Sequence, residues 1–206
     1  MALNASLGII GGSFDPIHFG HLATARLAKD FLRLGKIYFV PASTPPHKGL
    51  PHATPTDRLA MLRLAIKNTK GFEAWDGEIR RGGKSYTLDT LKSFAQSYSP
   101  ARFFFIIGSD NLKEIPLWHR YAELSKLADF CVAHRPGHSL KVPRELQSMH
   151  IRIFPSPEWK LSSTMIRNYL QQGYSCEHLV PPEVLDYIRR HKLYGAESTL
   201  PETLPT

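Results

Sequence analysis

Two histidines three positions apart, His18 and His21, stand in the run Gly11-Gly12-Ser13-Phe14-Asp15-Pro16-Ile17-His18-Phe19-Gly20-His21-Leu22. At a helix start, two imidazoles at this spacing can face one ligand. The helix dipole favours negative charge there, and two preceding glycines let an anion approach the backbone closely. The chemistry suggested is the binding of a phosphorylated compound. A His-x-x-His metal site is the weaker reading, because no carboxylate or cysteine stands at ligand spacing nearby, so no protein-held metal is expected. The segment is neither the Rossmann G-x-G-x-x-G nor the Walker G-x-x-x-x-G-K-[ST] pattern. A lone histidine would by default be a cap or a packed core residue. A pair following Gly-Gly at a strand end is far more specific.

The second group is Lys160-Leu161-Ser162-Ser163-Thr164-Met165-Ile166-Arg167. One of Ser162 and Ser163 caps a helix on any reading. The functional reading adds an anion held by free N–H groups, the hydroxyls and Arg167. From this segment alone both readings stay open.

These groups need a scaffold. Short apolar runs at 7–10, 36–40, 72–75, 102–107, 129–133 and 150–154 predict strands, with 78–81 a short extended piece. Helical periodicity predicts helices over 19–34, 56–68, 87–98, 162–172 and 182–191, with Gly35 as the first stop signal and a Pro- and His-rich loop over 42–55. Strands alternating with helices argue for an α/β fold, a doubly wound Rossmann-like parallel sheet with helices on both faces. Ligands in such sheets bind at the carboxyl ends of the strands, near the topological switch point. A single domain over 1–195 is expected, with 196–206 a polar, frayed tail.

Composition agrees. The chain has 206 residues, 42% of them hydrophobic, enough for a real core and unlike a disordered chain. No apolar run approaches a membrane span, and the start lacks the features of a secretion signal. Two cysteines, Cys131 and Cys176, are too few for a disulfide framework, and a reduced cytoplasmic setting is expected. The net charge of +8 predicts attraction to polyanions, either nucleic acid or phosphorylated small molecules. No basic tail or nucleic-acid-binding motif accompanies that charge, so neither nucleic acid nor a membrane is an expected partner. Homo-oligomerisation stays open.

Together, the GGSFDPIHFGH and SSTMIR segments resemble the HxGH nucleotidyltransferase superfamily. Within it, the chain is similar to the family that adenylylates nicotinate mononucleotide. The resemblance covers residues 7–195 and includes Pro45-Pro46-His47-Lys48, Ser85-Tyr86-Thr87-Leu88-Asp89-Thr90-Leu91, Gly108-Ser109-Asp110, Trp118 and Arg135-Pro136-Gly137. It implies the nucleotidyltransferase type of the fold, with ATP and nicotinate mononucleotide as substrates and Mg²⁺ accompanying ATP. It makes His18, His21 and Arg167 catalytic. It gives ATP Gly11, Gly12, Ser13, Phe14, His18, His21, Gly108, Asp110, Ser162, Ser163, Thr164 and Arg167. It gives the pyridine nucleotide Ser13, Lys48, Thr87, Trp118, His119 and Arg135. His119 departs from the tyrosine common at that position.

Each has a plainer alternative: Lys48 in a surface turn, Thr87 or Asp110 as a helix cap, Trp118 in the core, Arg135 as a surface charge. Rival activities are phosphopantetheine adenylylation, cytidylyl transfer and RNA-binding regulation. A complete aminoacyl-tRNA synthetase, which also uses a His-x-Gly-His segment, does not fit in this length.

Overall fold

The computed structural model describes residues 5–46, 49–134, 140–157 and 160–196. Six strands form one all-parallel sheet: β1 Ala5–Gly12, β2 Lys36–Pro41, β3 Phe72–Ala74, β4 Ala101–Gly108, β5 Asp129–His134 and β6 Ile151–Pro155. Their order is β3-β2-β1-β4-β5-β6. It reverses between β1 and β4, where Ile9 pairs with Phe105, and this opens the crevice of a doubly wound sheet beyond their carboxyl ends. The expected fold class is borne out.

Side chains alternate across the sheet, so each central strand feeds two cores. Phe103, Phe105 and Ile107 of β4 enter one core with Leu7 and Ile9, whereas Phe104 and Ile106 enter the other with Ile10. Helices α1 Phe19–Phe31, α2 Pro55–Ile66, α6 Ser163–Gln171 and α7 Pro182–Arg190 cover the second core through Ala25, Ala28, Met61, Leu62, Ile166 and Val184. Helix α4 Thr87–Ser97 and short 3-10 turns cover the first through Leu88, Leu91, Phe94, Ile115 and Leu124. Two further short helices are α3 Gly77–Arg81 and α5 Ser109–Leu112.

Several local expectations need correction. Residues 78–81 are helical, not extended: Asp76 pairs with Arg80 one turn on at 2.9 Å, and Gly82 ends the helix with φ +71°. Helix α1 stops before Gly35. Arg33 takes the left-handed conformation, while the Gly35 N–H bonds to the Ser6 carbonyl at 3.0 Å. Gly11 and Gly12 are strand residues paired with Val40 and Pro41, so the turn begins at Ser13. Ala196, expected as the first residue of a frayed tail, is packed into the core, and 197–206 lie outside the described residues.

Candidate functional site

A cavity of about 800 Å³ opens at the carboxyl ends of β1 and β4. Gly11, Gly12, Ser13 and Phe14 form its floor, and Gly108 and Asp110 stand on the β4 side. His18 and His21 line it as well. Ser162, Ser163, Thr164 and Arg167 close it from α6. Thus every residue expected to hold ATP borders one space.

The histidine pair is built by the first turn of α1. His18 is its N-cap, in extended backbone, and His21 is the third residue of the helix. The two rings stack with centroids 3.7 Å apart. The His18 backbone N–H donates to His21 Nδ1 at 3.3 Å. An Nδ1 that accepts is unprotonated, so His21 carries its ring proton on Nε2, the form that can donate to a phosphate oxygen. Phe14 supports this ring edge-on at 5.1 Å from a left-handed backbone, φ +49°.

His18 is 5% exposed, and burial pulls its imidazolium pKa down to about 4. It is therefore neutral near pH 7. Its Nδ1 is buried without a hydrogen-bond partner. An arriving phosphate would both engage such a ring and favour its charged form.

The hydroxyl segment divides its labour. Ser162 is the N-cap of α6, its Oγ accepting from the Met165 N–H at 3.2 Å. The Ser163 hydroxyl donates to the Pro16 carbonyl at 2.9 Å. Arg167 Nη1 donates to the Asp15 carbonyl at 2.7 Å and Nη2 to the Thr164 hydroxyl at 3.2 Å. The two groups singled out in the sequence are thereby bonded to each other. Gly108 is the N-cap of α5, with Asp110 in its first turn, so Asp110 is not the cap.

A second cavity, of about 150 Å³, adjoins the first and shares Gly11, Gly12 and Ser13 with it. Thr87, Trp118 and His119 line it. Tyr86, not Thr87, is the N-cap of α4, so Thr87 is its first residue. Trp118 is half-buried, with Phe105 at 6.0 Å and Phe130 at 6.3 Å. It is thus at once a core residue and a cavity wall. His119 lies 4.6 Å from the Tyr86 ring. Lys48 and Arg135 lie outside the described residues.

Three buried polar residues escaped the sequence reading. The Asp15 carboxylate accepts from the N–H groups of His52 at 2.7 Å and Ala53 at 3.0 Å, and from the Tyr194 hydroxyl at 2.8 Å. Its place inside the histidine segment was the available signal. Burial, with Asp15 alongside, pushes the Tyr194 phenol well above its ordinary range and keeps it a donor. Glu78 lines the smaller cavity and accepts from the Thr90 hydroxyl, and burial pushes its carboxyl up. Arg58 is fully buried on α2, and its position on the apolar stripe beside Met61 and Leu62 was the clue.

Among the described residues no three His, Cys, Asp or Glu side chains gather as a metal cluster. None of their helices is long and apolar enough to cross a membrane.

A family model described as cytidylyltransferase-like matches residues 9–169. A protein of Oceanobacillus iheyensis named "Probable nicotinate-nucleotide adenylyltransferase" is 39% identical over 189 residues, covering 92% of this chain and 96% of its own. One of the same name from Synechococcus sp. (strain JA-3-3Ab) is 41% identical over 194 residues, covering 91% and 94%. Among solved structures, Plasmodium falciparum nicotinic acid mononucleotide adenylyltransferase complexed with NaAD is 21% identical. It has a TM-score of 0.74 and covers 95% of this chain and 100% of its own. The same protein complexed with APC has a TM-score of 0.76 at 21% identity and the same coverage, which establishes likeness of fold.

Proposed function

The chain belongs to the cytidylyltransferase-like family and, within it, to the nicotinate-nucleotide adenylyltransferases, and on that premise we propose how its residues divide the work between two nucleotides. It transfers the adenylyl group of ATP to nicotinate mononucleotide in NAD biosynthesis, giving nicotinate adenine dinucleotide and pyrophosphate. The larger cavity takes ATP and the smaller one the pyridine end of the acceptor. The observation that carries this division is the shared wall: Gly11, Gly12 and Ser13 face both cavities, so the α-phosphate and the attacking phosphate meet there.

The acceptor's phosphate oxygen attacks the α-phosphorus in line. One P–O bond forms, and the bond to the β-phosphate breaks as pyrophosphate leaves. That nucleophile is already ionised near pH 7, so no strong general base is needed. Catalysis is then positioning and charge stabilisation. His21 donates from Nε2 to the transferring phosphoryl group. His18, neutral and buried before ATP arrives, gains an anionic partner on binding. Ser162, Ser163, Thr164 and Arg167 hold the β- and γ-phosphates, and Gly108 and Asp110 face the nucleoside end. The hydroxyls bind and do not attack, so no covalent intermediate forms.

Trp118 stacks on the pyridine ring, flanked by Thr87 and His119. Lys48 is assigned to the acceptor phosphate, as a point charge, and Arg135 to a contact with the acceptor. The family resemblance assigns residues 1–195 to a single domain.

Among the described residues, the carboxylates of this cavity do not form an all-protein cage. They fit a magnesium ion that would be held chiefly by the triphosphate. Such an ion would neutralise charge on the leaving pyrophosphate, with Asp110 among the carboxylates lining the cavity that would hold it. A cytoplasmic setting suits two cysteines that are both free and buried. The +8 charge serves the polyphosphate substrate rather than nucleic acid or a membrane.

The test is pyrophosphate release with ATP and, in turn, nicotinate mononucleotide, nicotinamide mononucleotide and phosphopantetheine. Turnover is expected with the first. Turnover with phosphopantetheine alone would overturn the acceptor assignment.

A further inference from the structure

Arg58 is an arginine with 0% exposure whose guanidinium is spent on backbone carbonyls. Nη1 donates to Ser13 at 2.7 Å, Nη2 to Ser43 at 3.1 Å and Nε to Ala53 at 3.3 Å. Those carbonyls belong to three segments: the turn after β1, the chain after β2, and the approach to α2. Burying a guanidinium costs several kcal/mol, and an apolar residue of similar volume often serves stability equally well. A purely structural plug would therefore not need this side chain. A planar fork with donors in fixed directions is suited to holding three segments in one relation.

The segments held are the walls of the site. Ser13 borders both cavities and precedes the left-handed Phe14, whose ring supports His21. Ser43 continues the connection to the other side. Its N–H donates to Ser85 Oγ at 2.8 Å, and Ser85 lines the smaller cavity together with the buried Glu78. Hydrogen bonds thus run from Ser85 through Ser43 and Arg58 to Ser13.

We propose that Arg58, which contacts neither substrate, is a positioning residue that sets the wall shared by the ATP and acceptor cavities against the far wall of the acceptor cavity. Its loss displaces Ser13 and the His21 support together, and it loosens the Ser85 end of the acceptor pocket. The inference rests on the two-cavity reading above.

The experiment compares the full-length wild type, Arg58→Met and Arg58→Lys by steady-state kinetics with ATP and nicotinate mononucleotide. Assays run well below each variant's melting temperature, so lost stability alone does not move them. Misplacement of reacting groups by about 1 Å can cost roughly 100-fold, so Arg58→Met is expected to lower kcat on that scale. It should also raise KM for both substrates. Lysine supplies the charge but not the fork, so Arg58→Lys should recover part of the turnover.

A folded Arg58→Met with kcat and both KM values within about twofold of wild type would overturn the inference, given how steeply rate depends on alignment. If Arg58→Met does not fold, Arg58→Lys decides on the same criterion. If neither folds, the guanidinium serves folding alone and the inference falls. A wild type without pyrophosphate release would instead contradict the functional reading, so the two failures are distinct.

Discussion

Arg167 Nη1 of α6 stands 2.7 Å from the backbone carbonyl of Asp15, in the turn that carries His18, although the two are 152 positions apart. The bond ties the hydroxyl-rich segment at the start of α6 to the turn that carries the histidine pair, with no nucleotide needed. Less ordering is then left for ATP to bring about, which is the energetic value of a preformed site. The same guanidinium reaches Thr164 Oγ1 at 3.2 Å, so its fork is aligned from both sides.

Arg167→Met should therefore have two effects. It removes a cation from the triphosphate site, so KM for ATP rises and kcat falls, with KM for the acceptor less affected. It also strips the donor from the part-buried Asp15 carbonyl, a loss worth about 1–3 kcal/mol. Steady-state kinetics and thermal melting check the two parts separately.

Trp118→Ala should raise KM for nicotinate mononucleotide more than KM for ATP. Ring stacking is worth roughly 0.5–1.5 kcal/mol beyond burial, so the change is about two- to tenfold. Equal effects on both substrates would contradict the stacking role.

Tyr194→Phe should lower stability by about 1.5–3 kcal/mol, because its hydroxyl donates at 2.8 Å to the Asp15 carboxylate in a buried setting. Chemical denaturation gives the number.

His18 makes stability depend on pH. Its pKa is about 4 in the folded chain against an ordinary 6.5. The unfolded chain therefore binds the proton more readily between these values. The stabilising difference is fully present above pH 6.5 and is lost as pH falls toward 4, by about 3 kcal/mol in all. His18→Asn, which cannot take up a proton, should lack this part of the acid destabilisation. Denaturation curves of the pair at pH 7, 5.5 and 4 would show it as a converging difference. Saturating ATP should oppose it, since the triphosphate favours a charged ring.

The fold was legible because the sheet's strands are apolar enough to stand out. Residues 102–107 show it best, with Phe103 through Ile107 buried on alternate faces of β4. The histidine pair stands out by its spacing after Gly-Gly, whereas the hydroxyl segment alone reads equally well as a plain helix cap. The short helix α3 was hidden because five residues offer too little periodicity, and an ion pair with Asp76 lies behind it. Helix α1 ends before Gly35 because Arg33 takes the left-handed conformation that a glycine more often supplies after a helix. Asp15 and Arg58 carry only indirect signals, a place in the histidine segment and one on the apolar stripe of α2, and Glu78 carries none. Their partners are backbone groups or hydroxyls that only the folded chain brings near.

The central claim is that the stacked histidines at the start of α1 stabilise the phosphoryl group in flight. Pyrophosphate release from ATP and nicotinate mononucleotide, measured for wild type and His21→Ala at equal folded concentration, tests it most directly. The account predicts that kcat of the variant falls by about 100-fold or more while its melting curve stays cooperative. Turnover of folded His21→Ala close to wild type would contradict it.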